Sequence, residues 1–197
     1  MKKVYGMGIY EYGKYPGSIN GKNTKEYQCW NHMLQRCYSL KCQEKYPTYK
    51  GCTVCDEWLY FQIFAAWHNN NYYEVSLLGR TEIDKDILVK GNKIHSPDTC
   101  VFVPRSINLL FTKRDASRGE YPIGVNYYKT TGKYRAEINY GDGKRHHLGY
   151  FNSPEKAFSV YKVAKEAHIK EVAKTYRTHI PVALYEAMMS YEVDVND

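Results

Sequence analysis

From position 112 to 120 the chain reads Thr112-Lys113-Arg114-Asp115-Ala116-Ser117-Arg118-Gly119-Glu120, a stretch with charge but no large apolar side chain. Both flanks are rich in apolar residues, so few core contacts can cross it, and it reads as a domain boundary. The 197 residues therefore divide into two small bodies, each limited to a modest core. The aromatic content fits small cores: 21 Tyr stand against 6 Phe and 3 Trp, and a tyrosine packs its ring while leaving its hydroxyl at the polar rim. A hydrophobic share of 43% excludes a disordered or low-complexity chain. The expected organisation is an N-terminal arm over 1–23, where Gly13, Pro16, Gly17 and Gly21 lie among polar residues; a first domain over 24–112; the linker 113–120; a second domain over 121–176; and a short helix with an acidic, frayed tail over 177–197.

The second domain is the more legible. Strand candidates at 123–128, 133–140 and 144–151 are separated by Thr131-Gly132 and Gly141-Asp142-Gly143, both good turn sequences. Ser153 then suits a helix N-cap with Pro154 at the first helical position, and Ala157, Val160, Tyr161, Ala164, Ile169, Val172 and Tyr176 supply an apolar stripe. Such a helix covers one face of an antiparallel meander. Alternation turns Tyr134, Ala136 and Ile138 inward and Lys133, Arg135, Glu137 and Asn139 outward, joined by Asn126 and Tyr128, and by Arg145 and His147 with Leu148 inward. Any one-sided sheet has a polar outer face, and cross-strand Lys–Glu pairing accounts for much of this one. The same face has the chemistry to enter a major groove, with Arg and Asn on base edges and Lys and Tyr on phosphates.

Four pieces, Tyr121-Pro-Ile-Gly-Val125, Gly132-Lys-Tyr-Arg-Ala-Glu-Ile138, Lys144-Arg-His-His-Leu-Gly-Tyr-Phe151 and Ser153-Pro-Glu-Lys-Ala157 with Tyr161, follow one another in order. In order and spacing they resemble the Apetala-two/ethylene-response-factor DNA-binding domain over about residues 120–170. The resemblance implies a three-stranded sheet reading the major groove, with contacts at Asn126, Tyr128, Lys133, Arg135, Glu137, Asn139, Arg145 and His147. This chain has Asn126, Tyr128 and Asn139 where the plant pattern has Arg, and His147 where it has an aromatic. Fewer arginines imply a different or laxer target.

In the first domain Thr24 suits the cap of a helix reaching about Ser39, with Tyr27, Trp30, Leu34, Cys37 and Tyr38 on one face, and an apolar run from Trp58 to Trp67 reads as a buried helix. Strand candidates at 80–84 and 99–103 flank a loop holding Lys90-Gly91-Asn92 and Ser96-Pro97-Asp98, and a short helix follows over 105–111. Strand, loop, strand, helix is the order a single-metal ββα nuclease requires. With Trp30, Arg36-Cys-Tyr38, Val54-Cys-Asp-Glu-Trp58 and Phe61 upstream, residues 24–112 resemble the HNH-type homing endonucleases common in bacteriophages, some of which carry an Apetala-two-like domain. The overall expectation is an α+β chain: a helical ββα, HNH-like domain, then a three-stranded antiparallel sheet packed on one long helix.

That resemblance implies a divalent cation, Mg²⁺ or Mn²⁺, held by Asp84 and Asn108 with Asp86 close by, and Asn92 orienting the base. The base position falls on Lys85, where active HNH enzymes have His. A lysine ammonium is a poor base at neutral pH and a good phosphate clamp, so His95 and Asp86 are the alternative bases. A surface histidine is more often only that.

Cys52-x-x-Cys55 invites a structural zinc, but Cys29, Cys37, Cys42 and Cys100 supply no second pair at similar spacing. Burial of Cys37, Cys52, Cys55 and Cys100 as small hydrophobes is the favoured alternative. A net charge of +7 favours an anionic partner. No apolar run approaches the ~18 residues of a membrane span, and no secretory leader is recognisable, so a cytoplasmic location, in the bacterial host for a phage protein, is expected. Three functions follow: a sequence-preferring duplex-DNA endonuclease or nickase, a non-catalytic DNA-binding protein on the same scaffold, or an accessory factor that binds a host protein.

Overall fold

The computed structural model describes residues 2–112 and 119–195, and most of the anticipated linker, 113–118, lies outside the described residues. The chain is a mixed α+β fold in two compact units, Met1–Pro104 and Arg105–Asp197. The division thus falls eight residues before the charged stretch. Residues 105–111 join the second unit, where the Phe111 ring meets Tyr191 edge-on at 4.8 Å.

The first unit opens on two small hairpins, β1 (Lys2–Val4) with β2 (Gly8–Tyr10), and β3 (Ser18–Ile19) with β4 (Lys22–Asn23). These residues are not a detached arm. Val4, Tyr10 and Tyr15 pack on the core, and the Tyr10 ring lies 5.4 Å from Phe61 and 5.6 Å from Tyr27. Helix α1 (Lys25–Tyr38) starts at Thr24, whose hydroxyl accepts the Tyr27 N–H, and buries Trp30, Met33, Leu34 and Cys37. After α2 (Leu40–Lys45), β5 (Thr53–Val54) and a 3-10 turn, α3 (Phe61–Asn71) brings Phe61, Phe64 and Ala65 inward. Trp30 donates its indole hydrogen to the Trp58 carbonyl at 2.8 Å, and Trp58 stacks obliquely on Trp67 at 4.4 Å. The Trp30 indole is thereby satisfied, whereas the Trp58 indole nitrogen and His68 Nδ1 are buried without a hydrogen-bond partner.

Strand β6 (Thr81–Asp84) pairs antiparallel with β8 (Val101–Pro104), and between them β7 (Ile94–His95) pairs parallel with β5. Helix α4 (Arg105–Asn108) begins the second unit.

In that unit β9 (Val125–Tyr128), β10 (Lys133–Ile138) and β11 (His146–Phe151) form an antiparallel sheet in the order β11-β10-β9. Helix α5 (Pro154–Thr175), capped by the Ser153 hydroxyl on the Lys156 N–H, lays Ala157 and Tyr161 against Val125, Ala136 and Ile138. Its stripe continues through Ile169 and Ala173, where α6 (Val182–Ser190) packs with Leu184 and Met188 buried. The tail differs from expectation: Val193 is buried, its carbonyl accepts Lys162 Nζ at 2.9 Å, and its N–H donates to Glu166 Oε1 at 2.8 Å. A buried valine flanked by two anchored backbone groups holds the chain end against α5. Residues 196–197 lie outside the described residues. No helix among the described residues is long and apolar enough to cross a membrane.

Candidate nucleic-acid interface and the acidic loop

Pairing across the sheet decides which side chains share its outer face. Lys133 lies opposite Tyr128, Arg135 opposite both Asn126 and Tyr150, and Glu137 opposite His147. Register breaks between Ala136 and Glu137, where β11 carries an extra residue. Gly149, with φ +142°, absorbs this bulge, and its position inside a strand is the sequence signal for one. Strict alternation would turn Tyr150 inward. The bulge turns it outward instead, beside His147 at 4.5 Å and Tyr128 at 5.4 Å between ring centroids. Tyr150 is the residue of this face that alternation alone misses.

The charges of the face converge on one carboxylate. Glu137, with only 11% of its side chain exposed, accepts from Arg135 at 3.0 Å and lies 3.8 Å from Arg145 and 3.5 Å from the Asn126 amide. Arg135 also lies over the Tyr128 ring, with Cζ 5.2 Å from its centroid. Glu137 therefore sets the rotamers of both arginines, and with Lys133 the group keeps a net positive charge. Asn139 lies past the end of β10, its carboxamide oxygen accepting the Gly141 N–H at 2.7 Å. At the Glu137 end of the sheet a cavity of about 500 Å³ is lined by Asn126, Glu137, Arg145 and Tyr161, with neighbouring residues of the same unit.

In the first unit the loop after β6 is organised by two side chains. Asp84 Oδ1 accepts the N–H groups of Asp86 and Ile87 at 2.9 and 2.8 Å. Asn92 donates to the carbonyls of Lys85 and Ile94, both at 2.7 Å, and Lys85 Nζ returns a hydrogen bond to the Asn92 carbonyl at 3.0 Å and an ion pair to Asp86 at 3.0 Å. Lys85 and Asn92 thus staple the loop. His95 is buried, with Nδ1 3.2 Å from the Thr53 carbonyl and 3.5 Å from Cys37 Sγ. A carbonyl only accepts, so Nδ1 carries the hydrogen and Nε2 is the bare nitrogen. Asn108 falls in the second unit, on α4.

Two carboxylates carry the donor chemistry of this loop. Burial, and then the Asp86 charge, push the Asp84 carboxyl up to about 6, a pressure that a divalent cation relieves. One Asp84 oxygen is already engaged and Lys85 sits on Asp86, so the loop offers the one or two carboxylates that Mg²⁺ takes beside a substrate phosphate, not a complete protein cage. Among the described residues no group of three or more His, Cys, Asp or Glu is arranged to hold a metal ion. All six cysteines are free; Cys37, Cys52 and Cys100 are buried and Cys55 half-buried, and burial pushes the Cys37 and Cys100 thiols up to about 12.

The loop makes a stability prediction. Burial, followed by the Arg36 charge, lowers His95 to about 4 from an ordinary 6.5, so its contribution is full above pH 6.5 and is lost as pH falls towards 4. Asp84, raised to about 6 from 3.8, acts oppositely and favours the native state as pH falls from 6 to 3.8. The two largely offset in the wild type. Asp84→Asn keeps the Oδ1 acceptor but removes the offset, so its urea midpoint should fall more steeply than wild type between pH 6.5 and 4, by on the order of 3 kcal/mol in stability. Parallel curves would refute the assignment.

No family model matches the chain, and no curated protein or solved structure does either.

Proposed function

We propose that the protein binds double-stranded DNA with sequence preference through the outer face of the β9–β11 sheet. The observation that carries this reading is the single surface on which Asn126, Tyr128, Lys133, Arg135, Arg145, His147 and Tyr150 surround the half-hidden Glu137. A three-stranded sheet backed by one helix has a polar face of the size and curvature that major-groove readers insert. Arginine and asparagine read purine edges there, Glu137 accepts from a cytosine amine, and Lys133 with the tyrosines takes phosphates. The Apetala-two-like motifs support the same docking, with Tyr150 added and Asn139 given a turn-forming role. Selection from a randomised duplex pool followed by anisotropy titration tests it. The expected result is an enriched motif whose affinity falls with a log–log salt slope of several units; no enrichment and no salt-sensitive binding would sink the reading.

A second reading, hydrolysis of a DNA phosphodiester by the first unit, draws support from the order β6, loop, β8, α4 and from the paired carboxylates at the end of β6. Asp84 and Asp86 would hold a Mg²⁺ or Mn²⁺ ion within the first unit; Asn108, the further ligand that the HNH resemblance implies, belongs to the second unit. When bound, such an ion stabilises charge on the phosphate and acidifies a water. Lys85 and Asn92 hold the loop in shape. His95, lowered to about 4 by burial and so neutral at pH 7, is the base that this reading assigns. The expected result is nicking of supercoiled DNA by the wild type with Mn²⁺ and at least a hundredfold less by Asp84→Asn; equal activity in both would leave the non-catalytic DNA-binding protein standing.

A further inference from the structure

The outer face of the sheet holds three aromatic rings whose apolar surface its hydrogen-bonding chemistry leaves unused. Strand pairing sets two of them level with polar side chains of the central strand: on β11, Tyr150 lies directly opposite Arg135 and His147 directly opposite Glu137. Tyr128 closes the group from β9, its ring 5.2 Å from the Arg135 Cζ above it. Tyr150 joins the other two, 5.4 Å from Tyr128 with the rings at 38°, and 4.5 Å from His147 with the rings at 51°. Rings that lean on one another, one of them already under a guanidinium, make a single apolar block and not a row of open platforms for unpaired bases.

Tyr150 reaches this face only through the bulge. The extra residue in β11 interrupts the ladder and turns a large ring away from the helix-covered side, leaving it 41% exposed. Core packing gains nothing from that, whereas bulges beside functional sites re-aim side chains in this way. A phosphate satisfies a tyrosine hydroxyl and leaves the ring unmatched. Base edges in a major groove present donors, acceptors and one kind of apolar group, the C5-methyl of thymine. An apolar block beside Arg135 and Glu137 has that one matching partner there.

We propose that Tyr128, Tyr150 and His147 together take the C5-methyl group of a thymine. Base pairs are stacked ~3.4 Å apart, so a block in contact with Arg135 places this thymine within about two base pairs of the guanine assigned to that arginine. The inference rests on the duplex-binding reading of this face and adds a base that the arginines and the carboxylate do not select.

The test replaces thymine by uracil, one position at a time, in the duplex obtained by selection. Uracil keeps every hydrogen-bonding group of thymine and lacks only the methyl, so the change is made on the DNA and the fold of the protein is not at issue. In anisotropy titrations of the full chain, uracil at one position near a guanine is expected to weaken wild-type binding about threefold to tenfold. Tyr150→Phe should keep that discrimination, and Tyr150→Ala should bind more weakly and no longer distinguish the two duplexes. Uracil tolerated at every position, or a selected motif with no thymine within two base pairs of a guanine, overturns the methyl contact; if Arg135→Ala still weakens binding, the sheet reading stands without it. A loss in Tyr150→Phe as large as in Tyr150→Ala, with thymine and uracil bound alike, assigns Tyr150 to a phosphate through its hydroxyl and overturns the contact as well. So does a single strand of the same sequence that competes as strongly as the duplex, since the rings would then belong to unpaired bases. A wild type that binds no duplex refutes the sheet reading, and the thymine contact falls with it.

Discussion

Arg135→Ala should weaken duplex binding by ~2–3 kcal/mol, on the order of a hundredfold, and should cost more than Arg145→Ala although Arg145 is the more exposed arginine. The reason is Glu137. Arg135 makes the short contact to that carboxylate, at 3.0 Å, whereas Arg145 stands 3.8 Å away with 73% of its side chain in solvent. Removing Arg135 subtracts a cation from the face and also uncovers a half-hidden negative charge pointing at the DNA. It further removes the cation over Tyr128. Arg145→Ala loses one cation and leaves the Glu137–Arg135 pair intact, so ~1 kcal/mol is expected from it. Glu137→Gln separates the two effects: it keeps the shape, frees both arginines, and should raise affinity for random duplex while flattening the preference for the selected sequence. Anisotropy titrations at one fixed salt concentration, on selected and scrambled duplexes, measure all three. Equal affinities for wild type and Arg135→Ala would overturn the docking face.

Much of this face is legible from residue order because its determinants are local. Ser153 and Pro154 fix where α5 begins, Gly132 and the 141–143 turn fix where the strands end, and alternation then assigns most side chains. Tyr150 escapes because one extra residue in β11 inverts the parity after Gly149, and parity is an all-or-none property of a strand. In the first unit the positions of Asp84, Lys85 and Asn92 on one loop are readable, but the staple that joins Lys85 to Asn92 is not, since it depends on how the loop closes between β6 and β7. Asn108 illustrates a different limit. Spacing places it on a short helix after β8, whereas the grouping of that helix with the second unit is decided by contacts such as Phe111 with Tyr191. The anchored Val193 is of the same kind: an acidic tail reads as solvated, and only the pairing of its backbone with Lys162 and Glu166 on α5 holds it down.

The second large effect is expected at Gly124. Its φ is +78°, a region that a side chain makes costly, and a Cβ built there lies 2.1 Å from Tyr161 Cδ2 with two further ring atoms within 2.5 Å. Tyr161 cannot step aside, because it is buried between Ile138 and Val193. Gly124→Ala therefore combines left-handed strain of ~1–2 kcal/mol with overpacking of ~1–3 kcal/mol, about 3 kcal/mol or more in all. The Gly124 carbonyl accepts the Glu137 N–H at 2.9 Å, so displacement of this turn reaches the carboxylate that orders the two arginines. Loss of stability and loss of duplex binding should appear together. The aromatic residues give a clean readout: Trp30, Trp58 and Trp67 are the three tryptophans of the chain, and all lie in the first unit. Tryptophan emission during urea unfolding should then keep the wild-type midpoint in Gly124→Ala, while the far-UV signal gains an early transition from the sheet and α5. A far-UV curve superimposable on wild type would show that Tyr161 yields and would remove the close approach as a determinant of the second unit.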